Sequence, residues 1–167
     1  MPSQSVIECS SYLKKRGFTI AFAESATAGR LAFEFSMTEA SGDILKGGLV
    51  CYDASIKEAI LKIPAGFIEK YTPESAEVTE AMAFSLQKLM PASIHVAVTG
   101  LTTAGGSETY EKPVGTMFIQ ILTDHHSIAL REVFTGNAEE IVMQTINKIA
   151  HTITRELLHQ DLGDETY

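Results

Sequence analysis

The chain has 167 residues, 45% of them hydrophobic and 20% charged, which is an ordinary composition for a folded globular protein and a length suited to one domain. Its formal net charge of −8 argues against nucleic acid as a partner, because phosphate backbones select Lys/Arg surfaces. No apolar run reaches the roughly 18–20 residues of a membrane span, and no basic region precedes an apolar N-terminal segment as in a signal peptide. Cys9 and Cys51 match no metal or CxxC spacing, so reduced thiols in a cytoplasm are expected. A single domain over residues 1–167, with a polar, frayed tail from Gln160, is the expectation.

Ser3 or Ser5 is placed to cap a first helix reaching Arg16, with Val6, Cys9, Tyr12 and Leu13 on one face and Gly17 ending it. Residues 18–23 read as a buried strand. The turn Glu24-Ser25-Ala26-Thr27-Ala28-Gly29 follows, then a helix over 30–37 with Leu31, Phe33 and Phe35 inward. Strand, small polar turn and helix together present backbone N–H groups at a helix N-terminus. Glu24 is costly to bury unpaired and should meet a cation or several donors. Residues 38–46 read as a connector, and Gly47-Gly48 opens a strand over 49–52. Asp53 or Ser55 caps a short helix to Lys62, Pro64 starts another to Tyr71, and Pro73-Glu74-Ser75 leads into a longer one ending near Met90-Pro91.

The stretch 94–122 organises the rest. Residues 94–99 and 114–122 are apolar and rich in β-branched side chains, the pattern of strands buried on both faces. Between them, Thr102, Thr103, Gly105, Gly106 and Ser107 supply hydroxyls and unshielded amides suited to an oxygen-rich anion. A flexible solvent loop is the bland alternative. Asp124-His125-His126-Ser127 reads as a hairpin turn into a strand over 128–134. The last helix starts at Thr135-Gly136-Asn137, with Ile141, Val142, Thr145, Ile146, Ile149, Ile153, Leu157 and Leu158 as its stripe. Alternating strands and helices with one hairpin predict an α/β fold, a three-layer α/β/α sandwich on a mixed sheet of about five strands.

Tyr52 and Lys57 flank the end of the third-strand region, and a desolvated lysine near hydroxyls is a candidate base for a serine nucleophile. Spacing does not separate this from an exposed helix lysine. His95, His125, His126, His151 and His159 lack metal-site spacing and read as structural or surface residues. The methionines at 37, 82, 90, 117 and 143 fall on expected core faces.

The motifs AESATAGR, GGLVCYDASIK, TPESAEV, VAVTGLTTAGGSETYEKPVGTMF and FTGNAEEI, in this order, resemble the C-terminal domain of the CinA (competence/damage-inducible) family over nearly the whole chain. The resemblance implies a three-layer α/β domain. It also implies a metal- and cofactor-independent amidohydrolase of the nicotinamide-nucleotide deamidase type, which converts nicotinamide mononucleotide to nicotinic acid mononucleotide and ammonia. Lys57 falls at the family's catalytic lysine and Tyr52 at a site tyrosine. Glu24, Ser25 and Thr27 match the Glu-Ser-Cys-Thr-Gly-Gly turn, with Ala26 and Ala28 replacing Cys and the first Gly. Gly100, Thr102, Thr103, Gly105 and Gly106 are expected, with that turn, to bind substrate. Where the family has Gly-Ser-Ser, its second serine the nucleophile, this chain has Ala40-Ser41-Gly42, so Ser41 is the candidate nucleophile if the loop shifts by one residue. Ala138 and Val142 stand where the family places phosphate-binding arginines. Three readings follow: this deamidase, a non-catalytic nucleotide-binding or regulatory domain that keeps the pocket, and an amidase whose substrate lacks phosphate. The expected partner is a small nucleotide-like ligand, with no nucleic acid or membrane, in a homo-oligomer.

Overall fold

The computed structural model describes residues 1–164. Helix α1, Gln4–Arg16, is capped at its start by the Ser3 hydroxyl, which accepts from the Val6 N–H. It ends at Gly17, whose φ of 67° lets its N–H turn back to Leu13 and Lys14 carbonyls. Strand β1, Ile20–Glu24, is buried along its whole length. Helix α2, Arg30–Ser36, returns along the sheet and leads through a single turn, α3 (Ser41–Ile44), into β2, Leu45–Val50. Then come α4 (Ala54–Leu61), α5 (Ala65–Tyr71) and α6 (Ala76–Leu89). Strands β3 (Ile94–Gly100), β4 (Thr116–Leu122) and β5 (Ser127–Val133) precede the long helix α7, Ala138–Asp164.

The five strands form one sheet in the order β2-β1-β3-β4-β5. Pairings of β1 with β2 and β3 are parallel, while β3–β4 and β4–β5 are antiparallel. This is the expected mixed five-stranded α/β sandwich. Alternation along β1 divides its side chains between two cores. Ile20 and Phe22 pack with α1, α2 and α7 on one face, while Ala21 and Ala23 face α4, α5 and α6 on the other. The second face is built on small strand residues, with Ala97 of β3 beside them. That leaves room for α6 to lie close to the sheet, and for a long side chain from α4 to reach the strand ends.

Several sequence expectations shift. Residues 38–46 are not a plain connector: they contain α3, and β2 begins at Leu45 and stops at Val50 because its ladder partners on β1 end at Glu24. Cys51 and Tyr52 lie past the strand and lead into the Asp53 cap of α4. Phe33 is 54% exposed and Met37 56%, since about 100° per residue turns them off the Leu31–Phe35 face. Leu158 is exposed for the same reason beside buried Leu157, and Val142 is only half-buried. The helix continues through Asp164, past the expected fraying point at Gln160, with Asp161 accepting from the Tyr12 hydroxyl at 2.7 Å and pairing with Arg16; the last part of the expected tail, 165–167, lies outside the described residues.

Candidate active site

Glu24 ends β1 fully buried, and its carboxylate folds back onto the start of α2. It accepts from the N–H groups of Gly29 at 2.9 Å, Leu31 at 3.0 Å and Ala32 at 2.8 Å. Several donors were the requirement for burying it, and the helix N-terminus supplies them. To wrap that tightly the turn puts Ala28 at φ 48° and Gly29 at φ 93°. Glu24 therefore shapes the turn rather than facing a ligand. Thr27 is likewise buried and off the pocket wall, its hydroxyl without a hydrogen-bond partner among the described residues.

Ser25 is held as the first residue past the strand by its N–H, which donates to the Val98 carbonyl at 3.0 Å. The neighbouring strand end is tied in by the Cys51 N–H donating to the Glu24 carbonyl at 2.7 Å. Asp53 caps α4 through the Ser55 N–H, which sets the helix angle so that Lys57, one turn in, points beneath Ser25. Lys57 is only 1% exposed. Its ammonium nitrogen donates to the Ser25 hydroxyl at 3.0 Å and to the Tyr52 carbonyl at 3.1 Å. Burial lowers its pKa from the ordinary lysine value, opposed by the charge of Glu74 and, less strongly, by Cys51 and Asp53. A lysine held by two neutral acceptors, with no carboxylate in direct contact among the described residues, is set up to give up its proton.

Two glycines pin the loop between β3 and β4. A side chain at Gly100 would lie 2.7 Å from the Thr116 carbonyl, and one at Gly115 would collide with the Phe134 carbonyl at 2.0 Å. The Leu101 N–H donates to Thr116 and the Gly115 N–H to Leu101, closing the loop's ends. Inside the loop, the Gly105 N–H donates to Glu108 at 2.7 Å. Lys112 crosses to the start of α6, donating to Ser107 Oγ at 2.7 Å and to Thr72 Oγ1 and the Glu74 carbonyl at 2.9 Å. The Ser107 hydroxyl in turn donates to the Glu74 carboxylate. Burial lowers the Lys112 pKa, with Glu74 opposing and Arg131 adding to the shift.

These pieces enclose a cavity of about 230 Å³ lined by Ser25, Tyr52, Glu74, Gly100, Thr102, Thr103, Gly105 and Gly106, together with Ala26, Leu101 and Ala104. Lys57 lies directly behind Ser25. Tyr52 stands at the rim, 66% exposed, and touches Lys57 through its carbonyl rather than its phenol. Ser41 is not brought to the site. It opens α3, just before β2 starts, and Asp43 two residues on pairs with Lys14 at the end of α1. The whole of β2 separates it from Lys57, roughly 17–20 Å for a strand of this length. A one-residue shift of the connector cannot close that gap. Sequence reasoning missed Glu74 and Lys112. The first looked like part of a helix start, and the second lies within a matched motif but had no assigned task. Among the described residues no cluster of three or more His, Cys, Asp or Glu side chains is placed to hold a metal ion.

A buried Ser–Lys pair thus lies at the carboxyl end of the parallel strands, under a glycine-pinned loop, where open α/β sheets build their sites. The family model for the CinA C-terminal domain matches residues 3–157, and the chain belongs to that family. It is 40% identical over 129 residues to a CinA-like protein of Desulfotalea psychrophila, covering 77% of this chain and 31% of that protein. A CinA-like protein of Petrotoga mobilis is 37% identical over 130 residues, covering 77% and 32%. The chain thus spans about a third of the length of these relatives. Among solved structures, a CinA superfamily protein from Klebsiella pneumoniae superposes with a TM-score of 0.87 at 23% identity, over 93% of this chain and 97% of that one. A competence/damage-inducible protein from Agrobacterium tumefaciens gives 0.85 at 20% identity, over 93% and 97%. At these identities the likeness establishes the fold.

Proposed function

We propose that the chain is a metal-independent amidohydrolase of the nicotinamide-nucleotide deamidase type, with Ser25 rather than Ser41 as nucleophile and Lys57 as its base. The observation that carries this is the 3.0 Å contact between the Lys57 nitrogen and the Ser25 hydroxyl, buried behind a cavity. Neutral Lys57 takes the Ser25 proton as Oγ attacks the carboxamide carbon. The lysinium then protonates the leaving nitrogen, the C–N bond breaks and ammonia departs, leaving an ester on Ser25. Water attacks that ester, Lys57 again takes and returns the proton, and the carboxylic acid leaves with Ser25 restored. The Ala26 backbone N–H, next after the nucleophile and on the cavity wall, is the candidate donor to the developing oxyanion. Thr102 and Thr103 orient the substrate against the wall formed by the glycine loop, and Tyr52 covers the entrance. Release of ammonia from a nicotinamide-type amide by purified protein treated with chelator tests the reading. Turnover unaffected by the chelator is expected, and no release at high enzyme concentration from nucleotide and nucleoside alike would overturn it.

A further inference from the structure

Carboxylates already occupy the places around this pocket where an anion would bind. Glu24 takes the Gly29, Leu31 and Ala32 amides at the start of α2. Glu108 takes the Gly105 amide within the glycine loop. Helix starts and glycine turns are the usual backbone cradles for phosphate, and here the chain's own side chains fill both. Among the described residues lining the cavity, Glu74 is the only charged side chain.

The neighbouring cations donate to acceptors of the chain itself, and none of them lines the cavity. Lys112 directs its ammonium hydrogens to Ser107, Thr72 and the Glu74 carbonyl. Arg131 donates to the Glu111 carbonyl and lies over the Phe118 ring. Lys57 is held by Ser25 and Tyr52 and acts only when uncharged. A phosphate dianion entering the cavity would meet the Glu74 carboxylate with no cation among the described lining residues, and would lose its water. The cavity's 230 Å³ also falls below the roughly 300–1,000 Å³ of sites that enclose a whole drug-sized ligand.

We propose that the amide hydrolysed here carries no phosphate and no net negative charge: a cationic pyridinium carboxamide nucleoside, or a neutral amide of that size, seated with its ring against Glu74. The proposal rests on the amidohydrolase reading for its chemistry, but the choice of ligand class can be tested apart from turnover. Nicotinamide riboside and nicotinamide mononucleotide differ by the phosphate alone and serve as probes. Calorimetry on the Ser25→Ala protein, with thermal shift on the wild type as a check independent of that variant, gives the binding order. The riboside is expected to bind at least about tenfold tighter than the mononucleotide, a difference of about 1.4 kcal/mol. Glu74→Gln is expected to shrink that ratio to within about threefold, chiefly by weakening the riboside. A general loss of fold would instead weaken both together. Equal or tighter binding of the mononucleotide, binding of neither probe, or a ratio untouched by Glu74→Gln would each overturn the proposal. If the riboside binds preferentially but wild-type protein releases no ammonia from it, the hydrolytic reading falls while the ligand class stands.

Discussion

The two ends of the sheet treat the same side chain in opposite ways. At the amino end of the parallel strands, Lys14 pairs in the open with Asp43 at 2.7 Å, and that hydrogen bond and charge raise its pKa. At the carboxyl end, Lys57 is buried against a hydroxyl and a carbonyl, and burial lowers its pKa. Each end has a serine, Ser41 near Lys14's partner and Ser25 against Lys57. A hollow larger than the candidate site, about 410 Å³ and lined in part by Arg16, His125 and His126, is at the amino end. There Arg16 pairs with Asp161 and the His126 ring contacts Glu156. Neither the size of a hollow nor the presence of a serine marks the site. What sets the candidate site apart is a lysine removed from water and left without a direct counter-ion among the described residues.

Lys57→Met is the sharpest way to break that contrast. It should lower kcat/KM by at least about a thousandfold, as loss of a general base does when no other group replaces it. The same change should raise Tm by a few degrees, because a buried ammonium gives way to an apolar side chain of similar length. The sign of the pH dependence follows. Native Lys57 has a lowered pKa, so between that value and the unfolded one the unfolded chain holds the extra proton. Wild-type stability should therefore rise with pH across this window, and the Lys57→Met protein should lack that rise. Thermal melts of both proteins over an alkaline pH series check it.

Gly115→Ala probes how the loop is held. A methyl group 2.0 Å from the Phe134 carbonyl, at φ 97°, should cost about 2–4 kcal/mol in denaturant unfolding. Activity should fall with it, since the loop supplies much of the cavity wall. Glu74→Gln should act more gently and on the titration itself. The log of kcat/KM should rise with pH through the Lys57 ionisation, with a midpoint below the ordinary lysine value of about 10.4. Because the Glu74 charge opposes that lowering, its removal should move the midpoint lower still. At the other end, Asp43→Ala removes the partner of an exposed lysine and should change neither activity nor Tm measurably.

The architecture was legible because its signals are local. Strands buried on both faces read as unbroken apolar runs, Ser3, Asp53 and Ser75 cap helices where their side chains reach back to N–H groups, and Gly17 ends α1. The pairing of β2 with β1 was less so. A strand with Gly47 and Gly48 at its centre has weak propensity, and its start depends on the ladder partner at Ile20. Of the candidate site, the turn at Ser25, the lysine and the glycine loop could be read as a group because each follows a strand, although β2, before the lysine, is a half-exposed edge strand. Ser41 was drawn in by counting along the chain, which ignores that β2 runs between it and Lys57. Glu74 and Lys112 meet only through the fold, 38 positions apart, and no spacing rule brings them together.

The most direct measurement compares Ser25→Ala with Ser41→Ala in steady-state ammonia release from the better of the two nicotinamide probes, with circular dichroism confirming that both fold. Ser25→Ala should lose at least about a thousandfold in kcat, the loss expected of a nucleophile, while keeping ligand affinity within about threefold. Ser41→Ala should match the wild type. Loss of turnover in Ser41→Ala with Ser25→Ala still active would contradict the placement of the chemistry at the carboxyl end of the sheet.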